Sequence, residues 1–235
     1  MVVFKPKRMN GSDLSYKKVL TASDRHKQDE TDDSLFYAQP RFVQHLDGSF
    51  RKQLTNLYEE KLKPNTIVLD LMSSWVSHLP SSVKFKQVIG HGLNKQELEA
   101  NPHFNKHWVQ NLNSNQKLPI ESNLVDAVLI VAGWQYLQYP EAVSSELLRI
   151  TSPNGIIIVS FSNRMFSTKA PRAWLDANDS ERLFGISKIL SNQGWIVEQI
   201  INKNSLAEGL LGLFGGKGDP FLSIIARTTK NKKNN

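Results

Sequence analysis

Cysteine is absent from all 235 residues. That excludes a disulfide scaffold, a thiolate zinc site and an iron–sulfur cluster, and it leaves no cysteine to act as a nucleophile. Long apolar runs are missing too: no stretch approaches the roughly 18 residues that a helical membrane span needs. No cluster of His, Asp and Glu has metal-ligand spacing, so no metal is expected. An excess of acidic residues is also lacking. The net charge is +7 and the pI about 9.5, which would suit a nucleic-acid partner. Three of those positive charges, Lys230, Lys232 and Lys233, sit within the last eight residues. The charge therefore describes a tail more than a binding face, and it disfavours nucleic acid as the partner. Val2, Val3 and Phe4 give way at once to Lys5, Lys7 and Arg8, which is no secretory apolar region. With Asp24, Asp29, Glu30, Asp32 and Asp33 arguing against a transit peptide, a cytoplasmic protein is expected.

What is present is a regular alternation. Residues 1–34 are polar and of mixed charge and read as a loosely attached arm. Residues 35–227 carry the periodic pattern of one domain, and 228–235 form a basic tail. Phe42, Val43, Leu46, Phe50, Leu54, Leu57 and Tyr58 recur at helical spacing, so a helix is expected over 40–62, within an amino-terminal lid of 36–62, with Gly48 a possible break. Short apolar runs at 67–71, 87–90, around Trp108-Val109, 126–131, 156–161, 195–201 and 221–226 read as strands, most of them buried on both faces. Helices are expected at 94–100, at 141–150 after Pro140, and at about 180–193, which Gly194 ends. Alternating strands and helices imply an α/β fold with a doubly wound seven-stranded sheet. The last two runs, joined without a helix, predict an antiparallel ending. No G-x-G-x-x-G follows the first strand, which argues against a nicotinamide-binding site.

Several phrases occur in a telling order: Val68-Leu69-Asp70-Leu71, Val88-Ile89-Gly90-His91-Gly92, Gln110-Asn111-Leu112, Leu118-Pro119-Ile120 with Val125-Asp126-Ala127-Val128-Leu129, and Glu146 to Gly155. Together they resemble the class I superfamily of S-adenosylmethionine-dependent methyltransferases, a Rossmann-like fold. Leu69 to Pro80 (LDLMSSWVSHLP) and Ser160 to Phe166 look like an uncharacterised, type 11-like branch of it. The resemblance implies S-adenosylmethionine as cofactor and a set of residues around it. Asp70 would support the first loop, where Met72, Ser73 and Ser74 stand in place of the usual glycines. Gly92 replaces the usual ribose-binding acid, with His91 or Asn94 to compensate. Asn111 and Leu112 would meet adenine.

The acceptor would lie beyond the fourth strand, near Gly133, Gln135 and Tyr136. Arg164 could bind an anionic group or pair with a structural carboxylate. Tyr37 and His45, from a lid over the site, are candidates for acceptor contact or proton removal. Other readings stay open: Asp70 as a turn cap, Ser73 and Ser74 as helix caps, Asn94 as the N-cap of the next helix. The loop Leu206 to Pro220 could be a second lid or a membrane-touching loop. The absence of cysteine excludes cytosine-C5 methylation, and no Asn/Asp-Pro-Pro-aromatic motif is present for exocyclic base amines. The sequence thus points to methyl transfer onto a small-molecule acceptor at O, N or C. The alternative is an inactive binding or scaffold protein on the same fold, and the oligomeric state is left open.

Overall fold

The computed structural model describes residues 15–205 and 216–229. After a short helix α1 (Asp33–Phe36), the elements run α2 (Gly48–Lys61), β1 (Ile67–Leu71), β2 (Gln87–Gly92), α3 (Lys95–Ala100), β3 (Lys106–Val109) and β4 (Val125–Val131). They continue through α4 (Pro140–Ile150), β5 (Thr151–Phe161), α5 (Arg172–Leu175), α6 (Asp179–Gln193), β6 (Trp195–Lys203) and β7 (Phe221–Thr228). One seven-stranded sheet has the order β3-β2-β1-β4-β5-β7-β6. β1 to β5 pair in parallel, while β7 inserts antiparallel between β5 and β6.

The continuous apolar runs follow from this layering, because alternate residues of each central strand feed two separate cores. Leu69, Leu71, Val128, Ile130, Ile157 and Val159 pack with Val143 and Leu147 of α4 and with Leu183, Ile186 and Leu190 of α6. Val68, Ala127, Leu129, Ile156 and Ile158 face the other way, onto Phe50, Leu54, Leu57 and Tyr58 of α2. Helix ends are fixed chemically. Asn178 and Glu181 form a capping box at the start of α6, and Gly194 closes it at φ +101°.

Three expectations are corrected. Residues 40–47 are not helical: Asp47 caps α2 by accepting from Phe50 N at 2.8 Å, so the helix begins at Gly48. Phe42 and Val43, counted in the helical period, are exposed. The strand after α4 begins at Thr151 rather than Ile156, with a bulge opposite Val125/Ala127 and Asn154 at φ +62°.

The third correction concerns the arm, because residues 15–34 are fastened to the body. Val19 N, Leu20 N and Arg25 all donate to the buried carboxylate of Glu141, at 2.7–3.0 Å. Lys27 Nζ binds both oxygens of Asp33, at 3.2 and 2.9 Å. Lys169 Nζ meets the Thr31 carbonyl at 2.8 Å and an oxygen of Asp29 at 3.1 Å. Both lysines are buried. Their charges face partners inside the protein, which composition alone does not reveal. At the other end, Thr228 belongs to β7 and donates to the Ser152 carbonyl at 2.8 Å. The remainder of the expected tail from Lys230, residues 1–14 of the arm, and residues 206–215 of the Gly-rich loop lie outside the described residues. No described helix is long and apolar enough to cross a membrane.

Candidate functional site

Strand order reverses between β1 and β4, and in open α/β sheets ligands bind at the carboxyl ends of the strands at such a point. A cavity of about 390 Å³ lies there. It is lined by Tyr37, His45, Met72, Ser73, Ser74, His91, Gly92, Asn94, Asn111, Leu112, Gly133, Gln135 and Arg164, all of them expected from sequence. Asp70 stands behind it. Fully buried, it accepts from Ser73 Oγ at 2.8 Å and Ser77 Oγ at 2.5 Å. Burial pushes its carboxyl up to about 6, against the pull of the two hydroxyls. Asp70 therefore shapes the loop from below.

The loop keeps a glycine-like backbone without glycine. Met72 sits at φ +57°, and Ala132, at the end of β4, at φ +49°, a region that side chains with a Cβ enter at a cost of about 1 kcal/mol. The close approaches are made by the glycines opposite. A Cβ on Gly92 would lie 2.4 Å from the Ser73 carbonyl oxygen, and one on Gly133 2.7 Å from Met72 Cβ. Met72 N donates to His91 Nδ1 at 3.1 Å, and Ser73 N to the His91 carbonyl at 2.6 Å, so the loop is tied to β2.

The expected ribose partners His91 and Asn94, and the expected adenine partner Asn111, have other work. His91 Nδ1 accepts from Met72 and Nε2 lies 2.9 Å from the Gln110 carbonyl, so the ring is neutral with its proton on Nε2. Burial lowers its pKa to about 4. Asn94 caps α3 through Glu97 N and donates to the carbonyls of Tyr37 and Ala38. Asn111 donates to Asp32 at 3.0 Å and accepts from Asn113 N at 2.9 Å.

Glu97 was not foreseen. Among the described residues it is the one carboxylate lining the cavity, and it accepts from Arg41 N at 2.6 Å and Ser74 Oγ at 2.7 Å. Its place three residues after Asn94 reads as an ordinary capping-box acid. Only the fold brings Arg41 and Ser74 to it. Gln44 and Asn113 also line the cavity unannounced by any local motif, and so do Arg41 and, from the end of the Ser160 to Phe166 phrase, Met165 and Phe166, none of which was expected to have a role there.

On the β4–β5 side, Tyr136 and Phe166 stack at 6.1 Å, and His45 meets Phe166 edge-on at 5.9 Å. Tyr37 is edge-on to Tyr136 at 6.5 Å, and burial raises its pKa far above the ordinary phenol value, so it keeps its proton. Burial, helped by Arg41 and Arg164 and opposed by Glu97, lowers that of His45, leaving a neutral imidazole at pH 7. Gln135 is buried, with Oε1 lacking any partner among the described residues. Arg164 does pair with a carboxylate: Nε donates to Asp219 at 2.6 Å. No described group of three or more His, Asp and Glu residues could hold a metal ion.

Comparison with known proteins agrees with this geometry. Residues 73–159 match the family model of a methyltransferase domain. None of the curated proteins is significantly similar in sequence. Among solved structures, a Haloferax volcanii protein in complex with the Trm112 methyltransferase activator superposes with a TM-score of 0.60 at 12% identity, over 79% of this chain and 92% of that one. A Listeria monocytogenes S-adenosylmethionine-dependent methyltransferase gives 0.56 at 12% identity, over 78% and 100%. Phosphoethanolamine N-methyltransferase 2 of Haemonchus contortus, solved with S-adenosylmethionine, gives 0.53 at 13% identity, over 79% and 54%. At such identities the likeness is one of fold. The chain thus has the fold of S-adenosylmethionine-dependent methyltransferases, and its residues 73–159 resemble a methyltransferase domain.

Proposed function

We propose that the protein binds S-adenosylmethionine in this cavity and transfers its methyl group to a small organic acceptor. The observation that carries the reading is the cavity itself. It lies at the switch point and is lined on one side by the loop after β1, Gly92 and Asn111, and on the other by Gly133, Gln135 and Arg164. The residues fit the cofactor. The loop Met72–Ser74 holds the left-handed turn that brings backbone toward a ligand, and bare glycines make room for it. Glu97 replaces the ribose acid missing at Gly92, because each of its oxygens, already accepting one hydrogen bond, has a second lone pair for a hydroxyl. Asn111 and Leu112 line the adenine end. The cofactor in the Haemonchus contortus enzyme of the same fold supports this reading.

When bound, the cofactor supplies a methyl group on a sulfonium, so that the acceptor's lone pair forms the new bond while the carbon–sulfur pair returns to sulfur. The protein's own task is proximity and orientation in a dry pocket. Tyr136 and Phe166 wall the acceptor, Gln135 orients it, and neutral His45 takes its proton. Tyr37 shapes the pocket without acting as a base, since its phenol stays protonated.

Calorimetric titration with S-adenosylhomocysteine tests the reading. Micromolar binding by the wild type, weakened at least tenfold in Glu97→Gln, is expected. No heat of binding at millimolar ligand would leave an inactive scaffold on a methyltransferase fold.

A further inference from the structure

The acceptor end of the cavity offers hydrogen-bonding groups in an unusual state, and they define a ligand. Arg164 follows β5, where its backbone N donates to Ser162 Oγ at 3.1 Å. Its Nε is fixed on Asp219 Oδ1. Asp219 is itself immobilised: Asp47 N donates to Asp219 Oδ2 at 2.8 Å, and Asp219 N donates to Asp47 Oδ2 at 2.6 Å. The guanidinium is thus aimed through one nitrogen, while its two terminal nitrogens have no partner among the described residues. It is also accessible, with 60% of the side chain exposed.

The other cation of the cavity differs. Arg41 is enclosed by the rings of Phe36, Tyr37 and Phe166, 4.6–5.5 Å from its Cζ, and donates to the Phe36 carbonyl through Nη2, while its Nη1 is buried without a partner among the described residues. Beside Arg164, the amide of Gln135 reaches the Arg164 carbonyl at 3.4 Å, and its buried Oε1 accepts from nothing described. A buried acceptor without a donor is costly, and the residue that carries it lines the cavity.

An oriented guanidinium with its terminal nitrogens unengaged matches a carboxylate, and the lone carbonyl oxygen beside it matches an O–H or N–H. We infer that the acceptor is a small carboxylic acid that also bears a hydroxyl or amine, held by Arg164 at its carboxylate and by Gln135 at the donor group. This rests on the methyl-transfer reading for its chemistry, yet its test does not depend on that reading. Acids and their matched neutral amides, 3-hydroxybenzoate with 3-hydroxybenzamide and lactate with lactamide, would be titrated into the full chain with and without S-adenosylhomocysteine.

At least one acid is expected to bind tenfold or more tightly than its amide. Arg164→Gln should erase that preference while S-adenosylhomocysteine affinity is retained, and Arg164→Lys should restore part of it. Gln135→Leu should weaken 3-hydroxybenzoate but not benzoate. Equal binding of every acid and amide, or a preference that survives Arg164→Gln, overturns the inference. Failure of S-adenosylhomocysteine alone to bind counts against the methyl-transfer reading and leaves the acid–amide comparison standing.

Discussion

Around the ends of β1, β2 and β3 the polar side chains of the cavity hold one another. His91 bridges the first loop and Gln110, Asn94 caps α3 and holds the Tyr37 and Ala38 carbonyls, Asn111 joins Asp32, and Glu97 gathers Arg41 and Ser74. Around the ends of β4 and β5, Gln135 and Arg164 keep atoms without partners among the described residues, and so does Arg41 Nη1 on the aromatic wall beside Phe166. The first half is built before any ligand arrives, and a pre-organised site binds without a further ordering cost. The second half keeps groups for the acceptor we propose, so selectivity is expected there.

The largest effect expected from breaking this contrast comes at Asp33, which holds Lys27 and also accepts from Asn113 at 2.7 Å. Asp33→Ala leaves a buried ammonium unpaired and should cost about 3–5 kcal/mol in urea unfolding. A loss below about 1 kcal/mol would show that the lysines find water instead. Next is Gly92→Ala, whose new Cβ meets backbone at 2.4 Å. It should destabilise by about 1–3 kcal/mol and weaken S-adenosylhomocysteine at least tenfold by calorimetry. Gly185→Ala in α6 meets nothing within 4 Å and should instead stabilise by up to about 1 kcal/mol.

Asp70 offers a subtler test through pH. Its folded pKa of about 6 lies above the unfolded value, so the native state binds the extra proton between about pH 4 and 6. Its contribution is most favourable below pH 4 and is lost as pH rises through 6. His91 and His78, both lowered to about 4 by burial, act oppositely, losing stability as pH falls from 6.5. Because Asp70→Asn retains both histidines, the stability difference between it and the wild type isolates the carboxyl. That difference should move in favour of the variant by about 1–2 kcal/mol between pH 4 and 7, measured by chemical unfolding at each pH. A pH-independent difference would place Asp70 in a better-solvated setting. The smallest effect is at Ala132. With φ already positive, Ala132→Gly should change stability by less than about 0.5 kcal/mol, whereas Ala127→Gly within β4 should cost about 1 kcal/mol; equal losses in thermal melts would remove the strain from Met72's counterpart.

The strands and most helices were legible because a sheet covered on both faces demands continuous apolar runs between turn residues, as at 67–71 and 125–131. The cavity wall was legible for a related reason: strand ends deliver residues to the switch point wherever the strands are found. What stayed hidden depends on contacts between distant segments. Arg41 and Glu97 lie 56 positions apart, and nothing near either one announces the other. The start of α2 was misplaced because exposed Phe42 and Val43 happened to share its period. The firm seating of residues 15–34 was missed because a buried Lys27–Asp33 pair has the same composition as two solvated charges.

That seating bears on where this protein can be divided. The family match begins at residue 73, and a shortened chain starting at β1 would look natural by that measure. It would strip Lys169 of Thr31, Asp29 and Asp33, and Glu141 of Arg25, leaving an ammonium and a carboxylate buried without partners. The heritable unit of this molecule is therefore larger than its recognisable motif, and a swap or truncation that respects only the motif would inherit its two buried charges without the segment that neutralises them.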